Sequence, residues 1–458
     1  MNKEEIEEKF VEKAPKNAVK MSRNKNMKDA VHNLYRRIRR EAYFLRLSKI
    51  HKDQLEIARK KEKIKVAFLL LNEAIWKYHR LYFLLKNDAR FQPVVFVCPF
   101  IRYGDDIMKQ EMETAYKKFN QKGYDVVKTI NSEGEFLDIK KEFDPELVFF
   151  CTPWKHTLQD YTISNFSDRL TCYTHYGYSN GNLYHSDYNL RTQNHVWKFF
   201  LESDYHQELA KKHSARKGKN TVVTGYPGTD DFLDSEYEPK NPWKPQNCKK
   251  KRVIWAPHHT IPGNISEKNY LNYSTFLTHA ELMQNIAKTY QDQIQFAFKP
   301  HPNLKGKLNE HWGEEKTETY YNTWKNMPNC QLEEGDYVDL FLTSDAMIHD
   351  CSSFLPEYLF VSRPVLYLVD RDDFSEEYND LGKKALNVIP LGKTEKDIYE
   401  FIENTILNGN DTYKEKRSRF FEDYLRPAGT GFASDNIYHH LLKELKWSRQ
   451  CIKKKAII

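Results

Sequence analysis

The chain has 458 residues, 40% of them hydrophobic and 14% aromatic, and a formal net charge of +7. That length suits two or three domains better than one, and that apolar share excludes an intrinsically disordered chain. The mild basic surplus suggests an acidic partner without choosing among nucleic acid, lipid headgroup and nucleotide.

Residues 1–63 read as a basic helical arm. From Met27 to Ile57 apolar residues recur at helical spacing (Val31, Leu34, Ile38, Phe44, Leu45, Leu47, Ile50), with Arg36, Arg37, Arg39, Arg40, Arg46 and Lys49 between them. Such a helix can lie on an anionic membrane surface or pack against the body of the protein. Met1 leads into a charged segment with no apolar core, and no run reaches the ~20 apolar residues of a membrane helix, so neither a signal peptide nor a span is expected. The seven cysteines are scattered without a C-x-x-C pair, which predicts reduced thiols in a cytoplasm and no zinc or disulfide framework.

Residues 64–235 form the first α/β unit. Strands are predicted at 64–71, 94–97, 124–127, 147–150, 170–178 and 221–228, with helices at 74–85, 105–119, 136–143 and 204–214. Strands separated by helices mean βαβ units and a parallel sheet. The first strand-helix turn carries no G-x-G-x-x-G, so a dinucleotide fingerprint is absent. Residues 236–251, polar, Pro-bearing and basic at their end, read as a linker. The alternation restarts over 252–424, with strands at 253–257, 294–298, 346–349 and 364–369 and a helix at 276–290. Residues 425–458 are a C-terminal helix and a basic tail with Arg449 and Lys453 to Lys455.

Four polar clusters fall where strands end: His175-Tyr176-Gly177, His258-His259-Thr260, Lys299-Pro300-His301-Pro302, and Asp350 with Ser352-Ser353. Strand ends facing a cleft between two such units are where α/β folds place ligands. Ser352 and Ser353 stand where a helix N-terminus would face a ligand phosphate, though they serve equally well as caps. Glu357, about one turn further on, could accept hydrogen bonds from a ribose. Asp370-Arg371-Asp372-Asp373 reads as a surface loop, not a metal site.

These motifs together resemble the CDP-glycerol glycerophosphotransferases, the teichoic-acid primase and polymerase family, over roughly Ile64 to Tyr424. The family's histidine-glycine turn is similar to His175-Tyr176-Gly177, and its glycine-proline turn to Gly225-Tyr226-Pro227. Its Ala-Pro-Thr strand end is similar to Ala256-Pro257-His258, its later histidine to His301, and its Asp-Tyr-Ser-Ser motif to Asp350-Cys351-Ser352-Ser353. Tyr176, Gly228-Thr229-Asp230 and the His258-His259 pair depart from the family pattern.

The resemblance implies a GT-B fold of two Rossmann-like halves, the first for the acceptor and the second for the nucleotide donor. It implies transfer of glycerol phosphate, or a related polyol phosphate, from a CDP-activated donor to a hydroxyl of a lipid-linked or polymer acceptor in teichoic-acid or capsule synthesis, with CMP released. His175 would be the base, half-titrated near neutral pH. His301 and Lys299 would meet the diphosphate, Ser352 and Ser353 the remaining phosphate oxygens, and Glu357 the ribose. Asp350 would orient its turn or pair with a histidine. Gly177, His258, His259 and Thr260 would complete the substrate site. No cofactor or metal is expected, no nucleic acid is expected, and the basic ends would hold the enzyme at the inner face of an anionic membrane. Two other readings stay open: a GT-B glycosyltransferase using a nucleotide sugar for surface polysaccharide synthesis, and a scaffold whose cleft is vestigial.

Overall fold

A computed structural model describes residues 25–261 and 273–447 of the chain. Residues 1–24 of the arm, and Arg449 and Lys453 to Lys455 of the tail, lie outside the described residues. The predicted arm helix runs Lys25–Ala58 (α1). Phe44, Leu47, His51, Leu55 and Ala58 recur every three or four residues and are buried against the first unit. Leu34, Ile38 and Leu45, on another side of α1, are 57%, 58% and 71% exposed.

The first sheet has seven strands: β1 Ile64–Leu70, β2 Phe91–Val97, β3 Val126–Lys128, β4 Leu147–Phe150, β5 Leu170–Thr174, β6 Lys198–Leu201 and β7 Thr221–Val223. The second has six: β8 Lys251–Ala256, β9 Ile294–Phe298, β10 Cys330–Leu332, β11 Ala346–His349, β12 Val365–Leu368 and β13 Leu391–Gly392. Their orders are β3-β2-β1-β4-β5-β6-β7 and β10-β9-β8-β11-β12-β13. Every pairing within them is parallel.

Parallel strands covered on both faces carry near-continuous apolar runs, and alternation divides each run between two cores. In β1, Val66, Phe68 and Leu70 enter one cluster while Ala67 and Leu69 enter the other. In β8, Val253 and Trp255 face one core of the second unit and Ile254 and Ala256 the opposite one. Trp255 stacks on Phe298 at 5.0 Å between ring centroids.

Three short strands escape a reading by hydrophobic runs. β10 and β13 have three and two residues. β6 packs Phe199, Phe200 and Leu201 into the first sheet, but four residues next to a helix start give too short a period to read. The helix expected over 74–85 is a 3-10 turn at Glu73–Ile75 followed by α2, His79–Lys86.

Residues 234–250 contain no helix or strand, yet they are not a slack tether. Trp243 is buried and its indole N–H donates to Thr343 Oγ1 at 2.9 Å. The chain ends by crossing back: helix Ala433–Glu444 buries Ile437, Tyr438, Leu441 and Leu442 in the core of the first unit. Asp230 caps that helix by accepting the Ala433 and Ser434 N–H groups at 2.7 and 2.8 Å.

Candidate active site

β5 is buried along its whole length and delivers His175 at its carboxyl end. The ring's Nδ1–H donates to Glu202 Oε1 at 2.8 Å, and its Nε2–H donates to the Asp187 carbonyl at 2.8 Å. A carbonyl can only accept, and an ionised carboxylate can only accept, so both ring nitrogens carry hydrogen and the ring is an imidazolium. Burial alone would lower its pKa; the Glu202 charge at 2.8 Å, helped by Asp187, overcomes that and lifts it to about 9. The expectation of a half-titrated imidazole at neutral pH is therefore corrected. Glu202, just past β6, is the residue that motif reading missed. It obeys the same strand-end rule as the other clusters, but its strand was not recognised.

The turn after His175 meets the second unit. A Cβ placed on Gly177 would lie 3.6 Å from Ser353 Cβ. Asn180 Nδ2 donates to the Ser352 carbonyl at 2.6 Å, and the Tyr178 N–H to Glu357 Oε1 at 3.4 Å. The turn that follows the imidazole of the front half thus packs directly against the serine pair of the rear half. Ser352 and Ser353 are half-buried, and Ser353, at the N-cap of helix Phe354–Leu359, makes no side-chain capping bond.

Glu357 is only 1% exposed. Its second oxygen accepts the Tyr337 hydroxyl, which in turn accepts from Lys77 Nζ at 2.9 Å. Its carboxylate joins the two halves and does not face a ribose, which corrects the role expected of it. Asp350 orients its turn: Oδ1 accepts the His258 N–H at 2.5 Å, and Oδ2 accepts the Thr275 N–H at 2.6 Å and hydroxyl at 3.0 Å. Burial pushes its pKa up, to about 7, against those donors. Thr260, expected among the substrate contacts, is buried and consumed locally, so that role too is corrected. Its hydroxyl oxygen accepts the Tyr273 and Ser274 N–H groups at 2.9 and 3.3 Å and lies 2.9 Å from His258 Nδ1.

Three rings gather beside this turn, with centroids 4.3 Å (His258, His259), 5.0 Å (His258, His301) and 4.1 Å (His259, His301) apart. Their nitrogens come within 4.8 Å of one another, a set that could hold a metal ion. Hydrogen bonding argues for a different ligand. With its oxygen occupied by two N–H donors, the Thr260 hydroxyl hydrogen is left for His258 Nδ1, and the Asn303 N–H donates to His301 Nδ1 at 3.1 Å. Both rings therefore carry their hydrogen on Nε2 and present a donor where a cation would need a lone pair. Burial, and then proximity to one another and to Lys299, Lys307 and Arg102, holds all three below the ordinary imidazole range, His259 at about 4. They are neutral N–H donors, suited to phosphate oxygens. Lys299 is buried with its ammonium donating to the Gly335 carbonyl at 2.7 Å, and burial lowers its pKa. In the loop 370–373, Asp373 pairs with Arg371 and Asp372 with Lys393.

The family model described as CDP-Glycerol:Poly(glycerophosphate) glycerophosphotransferase matches residues 173–443, more than half of the chain. The chain belongs to this family. As a member of the glycerophosphotransferase family it is an enzyme that uses a nucleotide-activated donor, and its two parallel-sheet halves are a GT-B fold. Solved structures of similar architecture include a variant of the wall teichoic acid polymerase TagF, 14% identical, matching over 90% of this chain and 98% of that one with a TM-score of 0.54. A UDP-N-acetylglucosamine 2-epimerase is 17% identical over 85% and 98%, TM-score 0.53. The MnaA protein of S. aureus with UDP is 16% identical over 84% and 97%, TM-score 0.50. At these identities the likeness is one of fold. No protein of curated function matches the chain.

Proposed function

We propose that this glycerophosphotransferase moves glycerol phosphate, or a related polyol phosphate, from a CDP-activated donor to a hydroxyl of a lipid-linked or polymer acceptor in teichoic-acid-type synthesis. The acceptor oxygen bonds to the phosphorus that carries the polyol, the bond from that phosphorus to the CMP oxygen breaks, and the acceptor proton passes to a base. The reading is supported by the packing of the His175 turn against Ser353 and by the three neutral histidines, linked to the Ser353 turn through the Asp350 bond to the His258 N–H.

His175 is the base once it has lost its extra proton. Glu202 keeps hold of Nδ1–H and leaves Nε2 to turn from the Asp187 carbonyl to the acceptor. His301 and His258 donate Nε2–H to the diphosphate and leaving phosphate, and Ser352, Ser353 and His259 complete the grip. Because these donors match an anion, the transfer runs without a metal or cofactor.

Among the described residues no helix is long and apolar enough to cross a membrane. Leu34, Ile38 and Leu45, with Arg36, Arg37, Arg40 and Arg46 beside them, support a peripheral seat on the anionic cytoplasmic face. The deciding experiment offers the purified chain CDP-glycerol, CDP-ribitol and a set of UDP-, GDP- and CMP-sugars. CMP release from a CDP-polyol is the expected outcome, and turnover of sugar nucleotides alone would replace this reading with a glycosyltransferase.

A further inference from the structure

His175 is covered by a segment that belongs to none of the four strand-end clusters. Its Nε2–H donates to the Asp187 carbonyl at 2.8 Å, and Asp187 lies in the short helix Tyr184–Tyr188. Gln193 Nε2 donates to the same carbonyl at 3.2 Å and to that of Ser186 at 2.8 Å, which steadies the cap from the first half. A carbonyl oxygen accepts hydrogen bonds and takes no proton from an alcohol. While it covers Nε2, that nitrogen can neither lose its hydrogen to solvent nor receive one from a hydroxyl.

The other end of the segment is tied to the second half. Gly181 and Tyr378 form an antiparallel bridge, in which the Asn182 N–H donates to the Glu377 carbonyl and the Asn379 N–H to the Asn180 carbonyl, each at 2.9 Å. The Asn182 side chain adds a bond from Nδ2 to the Glu376 carbonyl, and Asn180 Nδ2 reaches the Ser352 carbonyl at 2.6 Å. Between tie and cap the chain carries its own bonds. The Tyr184 N–H donates to the Asn182 carbonyl at 2.9 Å, and the Asp187 N–H to the Leu183 carbonyl at 3.0 Å. Residues 180–187 are therefore a strap with little slack, and a shift at Ser352 or at 376–379 moves the carbonyl that covers His175.

We infer that this strap makes the enzyme discriminate between its acceptor and water: it withholds His175 Nε2 until donor and acceptor are both seated, and Asn182 is its positioning residue. Water attack would join its oxygen to the phosphorus that carries the polyol, break the bond to the CMP oxygen and pass a proton to neutral His175. The donor would then be lost as CMP and free polyol phosphate. A covered base leaves water unactivated. Donor phosphate at Ser352 and Ser353 bears on the residue that Asn180 holds, and the acceptor hydroxyl replaces the Asp187 carbonyl at Nε2. The assignment rests on the transfer reading above for the identity of the reaction, but not for the link between strap and ring.

Two variants of the exposed Asn182 test this in the full chain. Asn182→Ala removes the bond to Glu376. Asn182→Pro removes that bond and the N–H to Glu377, and the extended bridge at Gly181 suits a residue before proline. The first readout is solvent exchange of the His175 ring hydrogens, followed by NMR with isotope-labelled histidine and assigned with His175→Gln. Nε2–H should exchange faster in Asn182→Ala and faster still in Asn182→Pro, while Nδ1–H, held by Glu202, keeps its native rate. The second readout is CMP release from CDP-glycerol in water with no acceptor present. It should rise roughly tenfold in Asn182→Pro, the scale of one or two lost hydrogen bonds. Unchanged Nε2–H exchange in both variants, or measurable CMP release that is equal in native and variant chains, would overturn the strap. Faster exchange with no CMP release from any CDP-polyol in any of these proteins would instead remove the transfer reading, so the two failures are separable.

Discussion

Glu202 Oε1 lies 2.8 Å from His175 Nδ1, and this pair, 27 residues apart in sequence, sets the protonation state of the cleft. A histidine that accepts a proton from an alcohol must first be neutral, so a carboxylate that stabilises the charged ring makes a stronger base but a scarcer one.

The pH dependence follows from that trade. Turnover limited by neutral His175 should rise with pH toward about 9 and level off above it. Glu202→Gln removes the charge that lifts the ring, so the rise should move toward the ordinary value near 6.5. A pH-rate profile of both proteins decides the point, and an unmoved limb in the variant would mean another group is the base.

Stability should track the same pair. Because His175 is raised above its unfolded value of 6.5, the pair stabilises the fold fully below that pH and loses its contribution as pH climbs through about 9. A shift of this size corresponds to about 3 kcal/mol. Denaturant unfolding at intervals between neutral and alkaline pH should show that loss in the native chain and little of it in Glu202→Gln.

Donor binding should place no proton on the three histidines and should be indifferent to chelators. His258, His259 and His301 are neutral donors with pKa values below the ordinary range, so binding CDP-glycerol near neutral pH needs no proton from them. Calorimetry in buffers of different ionisation enthalpy should give equal heats, and a chelator should leave turnover intact. Uptake of a proton on binding would show that the cluster charges to meet the diphosphate.

The fit between the halves can be probed at Gly382. A Cβ there would come within 2.4 Å of the Asn180 carbonyl oxygen and 2.7 Å of the Tyr378 ring. Gly382→Ala should act as a wedge between the loop that carries Asn180 and the second half. Overpacking costs ~1–3 kcal/mol in stability, while a displacement of about 1 Å in the cleft costs up to ~100-fold in kcat/KM. Full activity in this variant would mean the contact is absent from the working form.

Membrane attachment is testable on α1. Ile38→Glu with Leu45→Glu replaces two outward apolar side chains and leaves the buried face of Phe44 and Leu47 untouched. Flotation with anionic vesicles should weaken at least roughly a hundredfold, the factor for ~3 kcal/mol of lost insertion. Binding that ignores either the substitutions or the lipid charge would assign the stripe to a protein partner instead.

Much of this was legible before folding was considered. The apolar runs at 64–71, 147–150 and 294–298 announce strands buried on both faces, because only a covered parallel sheet removes every side chain from water. The turns at His175, His258, His301 and Asp350 announce a site, since polar residues at such strand ends sit where a cleft must open. These are local properties, carried by a few neighbouring residues.

The chemistry of each side chain was decided elsewhere. Glu202 and Asp187, against the effect of burial, make His175 a cation. Asn303 and Thr260 choose the tautomers of His301 and His258. Tyr178, Tyr337 and Lys77 turn Glu357 from a candidate ribose contact into a brace between the halves. The sequence by itself determined which strand ends carry polar side chains. Only the tertiary structure determined which protons they hold, because a pKa or a tautomer depends on partners and desolvation that distant parts of the chain supply.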